Sequence, residues 1–262
     1  MILGAIAVAA VATPSPQPND PCGSIISIVT RPTITTSVCT VRPDHGLVEN
    51  GYTNSVTTGV GGGTTINYPQ SFVRFGVGRH MELAFSPPSF ERTSLNDTLA
   101  SGSSDMAFGA KWEIGYNAKA AWGAGFLISA PTGDPSFTAG ATQYSGLINW
   151  SYTISPVFSA AGTVSFNSNS ASNASGQFQQ YSAFIPSLTI TASLPGPPQQ
   201  LFGEYVYYSH AGPALGTKSL IDVGYVRDFG EHVQFDIEWG FQPTVINGQK
   251  LHYFGAGLSL MN

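Results

Sequence analysis

The chain has 262 residues, of which 10% are charged and 12% aromatic, with 30 glycines and a formal net charge of −5. A typical soluble domain carries roughly 25% charged residues, nucleic-acid binders need a basic footprint that is missing here, and a helical membrane protein needs runs of about 18 apolar residues that occur nowhere in the chain. What remains is one large all-β domain in which half of each strand is polar: an antiparallel transmembrane β-barrel, with a soluble exported β-sandwich that binds a ligand as the alternative.

In chain order, Met1 to Ala12 is wholly apolar or small, and Ala10-Val11-Ala12 before Thr13 matches an A-x-A cleavage site. Residues 1–12 therefore read as a signal peptide, with no Lys or Arg at their start. A Pro-rich spacer follows, and 13–43 reads as a periplasmic N-terminal segment ahead of a barrel over 44–262. An exported chain folds where disulfides form. Its two cysteines, Cys22 and Cys39, would close a short loop contributing about 3 kcal/mol in the chain-entropy model. The alternative is two unpaired thiols. No C-x-x-C and no nearby His pair completes a metal site, and no cofactor motif is present.

Period-2 alternation then predicts about twelve strands, at 46–57, 64–78, 80–92, 103–116, 118–131, 139–155, 157–170, 178–194, 200–210, 217–228, 231–243 and 249–261. The clearest pair spans 104–130. Met106, Phe108, Ala110, Trp112, Ile114 and Tyr116 fall on one face, and Asp105, Ala107, Gly109, Lys111, Glu113 and Gly115 on the other. After Asn117-Ala118 the pattern resumes, with Trp122, Ala124, Phe126 and Ile128 opposite Gly123 and Gly125. Late in the chain Val233, Phe235, Ile237, Trp239 and Phe241 interleave with Gln234, Asp236, Glu238, Gly240 and Gln242. The stretch 200–208 is ambiguous, with large apolar residues on both faces around Glu204. Short turns (78–80, 117–118, 155–156, 195–198, 229–231) alternate with longer Gly/Ser/Thr/Asn loops (57–63, 92–103, 131–140, 168–177, 211–217, 243–248), the outer-membrane pattern with both termini in the periplasm. Rings such as Trp112, Trp122, Trp150 and Trp239 lie near strand ends, where the headgroup zone favours them.

The polar faces carry Glu49, Arg74, Glu82, Asp105, Lys111, Glu113, Lys119, Asp222, Asp236 and Glu238, which in a barrel are lumen-lining. They read either as a mildly acidic selectivity lining or as neutralising pairs that fill a narrow lumen. On the first reading, the lumen strip of 104–130, with Asp105, Lys111, Glu113 and Lys119 beside small glycines, lines a permeation path. The segment around Cys22 and Cys39 could equally enter the lumen as a plug.

Ser101-Gly102-Ser103-Ser104-Asp105, running on to Trp112, followed by Ser129-Ala130-Pro131-Thr132-Gly133-Asp134, resembles the transporter family named for the meta-pathway of phenol degradation. Its members share a G-x-x-D, hairpin, P-T-G pattern, here in the right order and spacing. Pro21-Cys22-Gly23, Thr30-Arg31-Pro32-Thr33 and Ser37-Val38-Cys39-Thr40-Val41 are similar to the start of many bacterial members, and the resemblance covers roughly residues 40–260. It implies an outer-membrane barrel of a Gram-negative-type bacterium that passes small compounds, hydrophobic and aromatic ones among them. The partners would be membrane lipid and lipopolysaccharide, the barrel-insertion machinery and a small-molecule solute, with no nucleic acid. Such barrels end on an aromatic residue read by that machinery, whereas this chain ends Leu260-Met261-Asn262.

Catalysis finds little support. No G-x-S-x-G occurs, and Ser209-His210, as neighbours on a strand, would face opposite sides and form no dyad. The Gly61-Gly62-Gly63 run lacks the Lys and helix of a phosphate loop. The five histidines have no ligand spacing. A non-enzymatic channel is the leading expectation, with a structural or adhesive barrel whose loops bind outside partners as the alternative.

Overall fold

The computed structural model describes residues 20–59, 61–95, 98–172, 176–213, 215–246 and 248–262. The expected signal peptide lies outside them. One four-residue helix, α1 (Ile25–Ile28), precedes fifteen strand segments. They are β1 (Gly46–Gly59), β2 (Gly63–Tyr68), β3 (Phe72–Gly78), β4 (Met81–Ser86), β5 (Phe90–Leu95), β6 (Thr98–Ser103), β7 (Met106–Tyr116), β8 (Ala120–Ala130), β9 (Gln143–Thr153), β10 (Phe158–Ser172), β11 (Phe178–Ser193), β12 (Gln199–Tyr208), β13 (Lys218–Asp228), β14 (Val233–Phe241) and β15 (Gln249–Met261). Each pairs antiparallel with its neighbours, and β1 returns to β15, with Leu47 opposite Met261 and Gly59 opposite Gln249. Closure leaves no edge along that seam, which is what lets a sheet cross a bilayer with its backbone satisfied.

Fifteen segments make twelve strands because three strands are broken at one level. β1 pairs with β3 over its first residues and with β2 further along, β4 and β5 are two halves of the next strand, and β6 and β7 of the third. The breaks fall at Pro69, at Pro87-Pro88 and at Ser104-Asp105. Proline has no N–H to give the ladder. Ser89 and Ser104 stitch the gap, Ser104 N donating to Ser89 O at 2.8 Å and Ser89 N to Ser104 Oγ at 2.9 Å. Two expected long loops are corrected here. Residues 57–59 belong to β1 and residue 63 to β2, while 92–95 and 98–103 are strand in β5 and β6, which extend the ribbon beyond the breaks.

The outer edge of β6 is held by the loop after β8. Asp134 N donates to Ser103 O at 2.9 Å, and its Oδ2 accepts from Ser103 N. Asp105 accepts Gly133 N and Ala139 N, both at 2.8 Å. A Cβ on Gly102 would strike Asp134 and Phe137, and one on Gly133 would strike the backbone at Ser103 and Ser104. The two halves of the sequence motif therefore dock on each other, and they need glycine for close approach.

The alternation resolves into two faces. Trp112 and Ile114 are 63% and 66% exposed on the outside, while Glu49 and Arg74, pointing inward, are fully buried. Apolar rings and aliphatics, including Phe126, Ile148, Phe166, Leu188, Val223, Trp239 and Phe254, form the outer belt.

Candidate functional site

The inward charges are buried because the lumen is occupied. Residues 20–43, read from the sequence as a periplasmic segment that could also enter the lumen as a plug, run inside it. Cys22 and Cys39 are disulfide-bonded, and with Ile25, Ile28, Val29 and Val41 they pack on Leu47 and Met261 as a small core of their own. The segment presents backbone groups to the wall, and wall side chains satisfy them.

Arg74 is central. Its Nε and Nη2 hold both oxygens of Glu82, at 2.8 and 2.9 Å, in a planar bidentate pair. Its Nη1 reaches Glu49 Oε1 and Ile28 O, both at 2.7 Å, and its Nη2 also reaches Cys39 O at 3.0 Å. Glu49 Oε2 accepts Thr30 N and Arg31 N at 3.0 Å, and Glu82 Oε2 accepts Val41 N at 2.7 Å. Lys111 Nζ donates to Cys39 O at 2.6 Å and Ser37 O at 3.0 Å, and lies 3.4 Å from Glu82. Two cations and two carboxylates thus neutralise each other around the plug's backbone. Buried charges persist only when paired and hydrogen-bonded in this way.

The opposite wall holds the plug differently. Thr36 N donates to Thr163 Oγ1 at 2.9 Å, Thr35 Oγ1 bonds Ser187 Oγ at 2.7 Å, and Asn149 Nδ2 donates to Ser37 O at 2.7 Å. Glu204 is the charged exception, accepting Ile34 N at 2.8 Å and Thr35 N at 2.7 Å. Arg31, its backbone N bonded to Glu49 on β1, lays its side chain along β1, β15 and β14. It lies 3.4 Å from Asp236 and fits only because the paired Gly51 and Gly257 have no side chain there.

Between the plug and strands β9 to β13 is a cavity of about 240 Å³. Nearer the loops, the lumen face of β12, β13 and β15 turns apolar. Val206, Leu220 and Tyr253 pack together, with Ile185, Tyr208 and Leu251 against them. Tyr253 Oη donates to Asp222 Oδ2 at 2.9 Å.

Of the sequence-predicted residues, Glu49, Arg74, Glu82 and Lys111 come together as the plug's anchor. Asp222, Asp236 and Glu238 are buried on the β13 and β14 wall. Glu113 is buried, with Oε1 3.1 Å from Nδ1 of His80 in a short turn. Two are corrected. Lys119 sits exposed in the turn before β8, because that strand starts at Ala120, and Asp105 occupies a strand break and anchors the 131–142 loop. The predicted strip beside the hairpin is no free path, since Lys111 is spent on the plug. Ser209 and His210 also differ from expectation. They lie past the end of β12, where alternation no longer applies, and Ser209 Oγ is 3.3 Å from His210 Nδ1. That pair is exposed and Ser209 Oγ also accepts Phe184 N, so it is a loop contact. Sequence reasoning missed Arg31, Asn149 and Thr163. Glu204, noted only as an acid amid apolar neighbours, was missed as well.

The family model described as "Putative MetA-pathway of phenol degradation" matches residues 30–259. Among solved structures, the chain is similar to an outer membrane channel from Pseudomonas putida F1, with TM-score 0.62 and 14% identity over 83% of this chain and 94% of that one. It is also similar to the NanC porin, with TM-score 0.53 and 11% identity over 80% and 98%. The KdgM porin, in complex with disordered oligogalacturonate, gives TM-score 0.51 and 9% identity over 81% and 98%. At such identities the likeness is one of fold. No curated protein matches the chain in sequence.

Proposed function

The chain belongs to the phenol-degradation MetA-pathway family, with the fold of an outer-membrane barrel, and from that premise we propose that it passes small compounds, hydrophobic and aromatic ones among them, across the outer membrane around a seated plug. The observation that carries the reading is the apolar cluster of Val206, Leu220 and Tyr253 on the lumen face. A barrel that held only water and charge pairs would keep that wall polar, as β3, β4 and β7 do. Ile185, Tyr208 and Leu251, packed on that cluster and only partly buried, give an apolar solute a surface to leave water on. The outer belt of rings would lie in lipid and lipopolysaccharide, and the barrel-insertion machinery would deliver the chain there. The solved relatives named above are described as a channel and porins, which supports a non-enzymatic role.

The test is uptake. Cells with a tight outer membrane that express the full chain should accumulate labelled benzyl alcohol several-fold faster than cells with an empty vector. Leu220→Asp, which places a charge in the cluster, should return the rate toward the empty-vector value. Equal rates with and without the chain would refute the reading.

A further inference from the structure

The cavity between the plug and the β9–β13 wall is, we infer, a binding station for one uncharged single-ring alcohol and the way past the plug. This deepens the channel reading above and rests on it.

The chemistry of the lining selects the solute. The wall turns Ser151, Ser159, Ala161, Thr189, Thr191 and Phe202 toward the cavity, and none carries a charge. Among the described residues that line it, the one charged side chain is Arg31, whose guanidinium is directed away, toward Gln70 and Asp236. An anion entering here would shed water without meeting an opposite charge, and a cation would find the nearest carboxylate, Glu204 behind the lining, already spent on Ile34 N, Thr35 N and Thr189 Oγ1, a heavy cost in a confined site. A neutral hydroxyl finds partners of its own kind. Serine and threonine both donate and accept, and Ser159 and Thr191 already bond each other across the cavity wall. Phe202 gives the apolar body of the solute a surface.

Size sets the limit. A cavity of about 150 Å³ holds benzene. At about 240 Å³ this one has room for a single ring with a short polar arm.

Attachment explains why the route lies on this side. On the β3, β4 and β7 side the plug is gripped by Arg74, Glu82 and Lys111. Across from them the plug is held by Glu204 and otherwise mostly by neutral hydroxyl bonds such as Thr36 to Thr163 and Thr35 to Ser187. Neutral bonds can be exchanged for solute bonds at little net cost, so a solute slips along this face while the plug stays seated.

The experiment uses the full chain, refolded in detergent with its native disulfide intact. Thr191→Cys places one thiol at the cavity, and its labelling by a small neutral methanethiosulfonate is followed. Benzyl alcohol should slow labelling saturably, benzoate and benzylammonium should not, and adding Ala161→Trp should abolish the protection. Ser151→Cys reports the same cavity should Thr191→Cys misfold. No protection, or equal protection by all three probes, overturns the station. In the cell uptake assay, Ala161→Trp should lower channel-dependent uptake of benzyl alcohol several-fold. If the parent chain takes it up and Ala161→Trp does so equally well, the cavity is off the path and this inference fails while the channel stands. If the parent shows no uptake, the channel reading fails and the route with it, whereas thiol protection still reports the binding site.

Discussion

On one side of the lumen Glu49, Arg74, Glu82 and Lys111 grip the plug through short charged hydrogen bonds. On the other, threonines, a serine and an asparagine touch it lightly beside a cavity. Both walls are polar by sequence pattern, yet the chemistry divides the work. Ion pairs commit their partners: once buried, they cannot be opened without stranding a charge. Neutral hydroxyls leave options, because each can trade one partner for another. A plugged channel needs both kinds of wall, and this barrel sets them largely on different strands, with Glu204 on β12 the charged group among the neutral contacts.

The largest way to break that comparison is Arg74→Met. It strands Glu49 and Glu82 in a fully buried site, and removing one partner of such a network costs about 3–5 kcal/mol. The expected result is a lowered urea midpoint for barrel unfolding and new protease cleavage within residues 20–43 of folded protein. Replacing Arg74, Glu49 and Glu82 together by apolar residues of similar size should restore much of the midpoint, because no charge is then left unpaired. If Arg74→Met leaves both midpoint and cleavage unchanged, the charged wall is not what seats the plug.

The division of labour explains how much was legible in the sequence. The facing of Trp112, Ile114, Lys111 and Glu113 followed from period-2 alternation, since adjacent residues of a strand must point apart. About twelve strands came from the same rule, an even number as single-chain outer-membrane barrels have, and closure is seen in the pairing of β1 with β15. The breaks at Pro69 and Pro87-Pro88 were not resolved, because alternation continues on both sides of them and each half keeps the same neighbouring strand. The plug was the hardest part. Glu49, Glu82 and Glu204 bind backbone N–H groups of Thr30, Arg31, Val41, Ile34 and Thr35. Every residue but proline offers that group, so no sequence letter marks the match. The clash at 200–208 was informative: Phe202 and Val206 face the lumen and Leu201 and Tyr205 the lipid, so both faces are apolar. The G-x-x-D and P-T-G motif was visible, but its role as a clamp between β6 and the 131–142 loop required the geometry.

A middle-sized effect sharpens the picture of the charged side. Cys39 O is the group that Arg74 and Lys111 share, and the disulfide ties it to the start of α1. Removing the bridge with Cys22→Ser and Cys39→Ser frees a loop of seventeen positions, about 3 kcal/mol in the chain-entropy model. In native, unreduced protein, alkylation should label neither cysteine. The double variant should show a lower unfolding midpoint, with cleavage appearing between residues 22 and 39 before the barrel melts. Cleavage no greater than in the parent would mean that the wall contacts alone fix the plug, and that the bridge matters only before insertion.

The smallest expected effect is on the neutral side. Asn149 donates to Ser37 O and lies beneath Gly123, where a Cβ would meet its side-chain oxygen. Asn149→Ala removes one short neutral hydrogen bond, to Ser37 O, and two longer ones to Thr36, with the short bond a loss of about 1 kcal/mol. Ser37 O keeps its bond from Lys111 and Thr36 Oγ1 its bond with Thr163, so no charge is stranded. The unfolding midpoint should shift far less than in Arg74→Met, and the plug should stay protease-resistant. Uptake of benzyl alcohol should hold or rise, because the change widens the neutral side without freeing the plug. The pair of variants therefore measures the asymmetry directly. If Asn149→Ala loosens the plug as much as Arg74→Met does, the two walls are equivalent, attachment is spread around the whole lumen, and a solute can pass only by displacing the plug entirely.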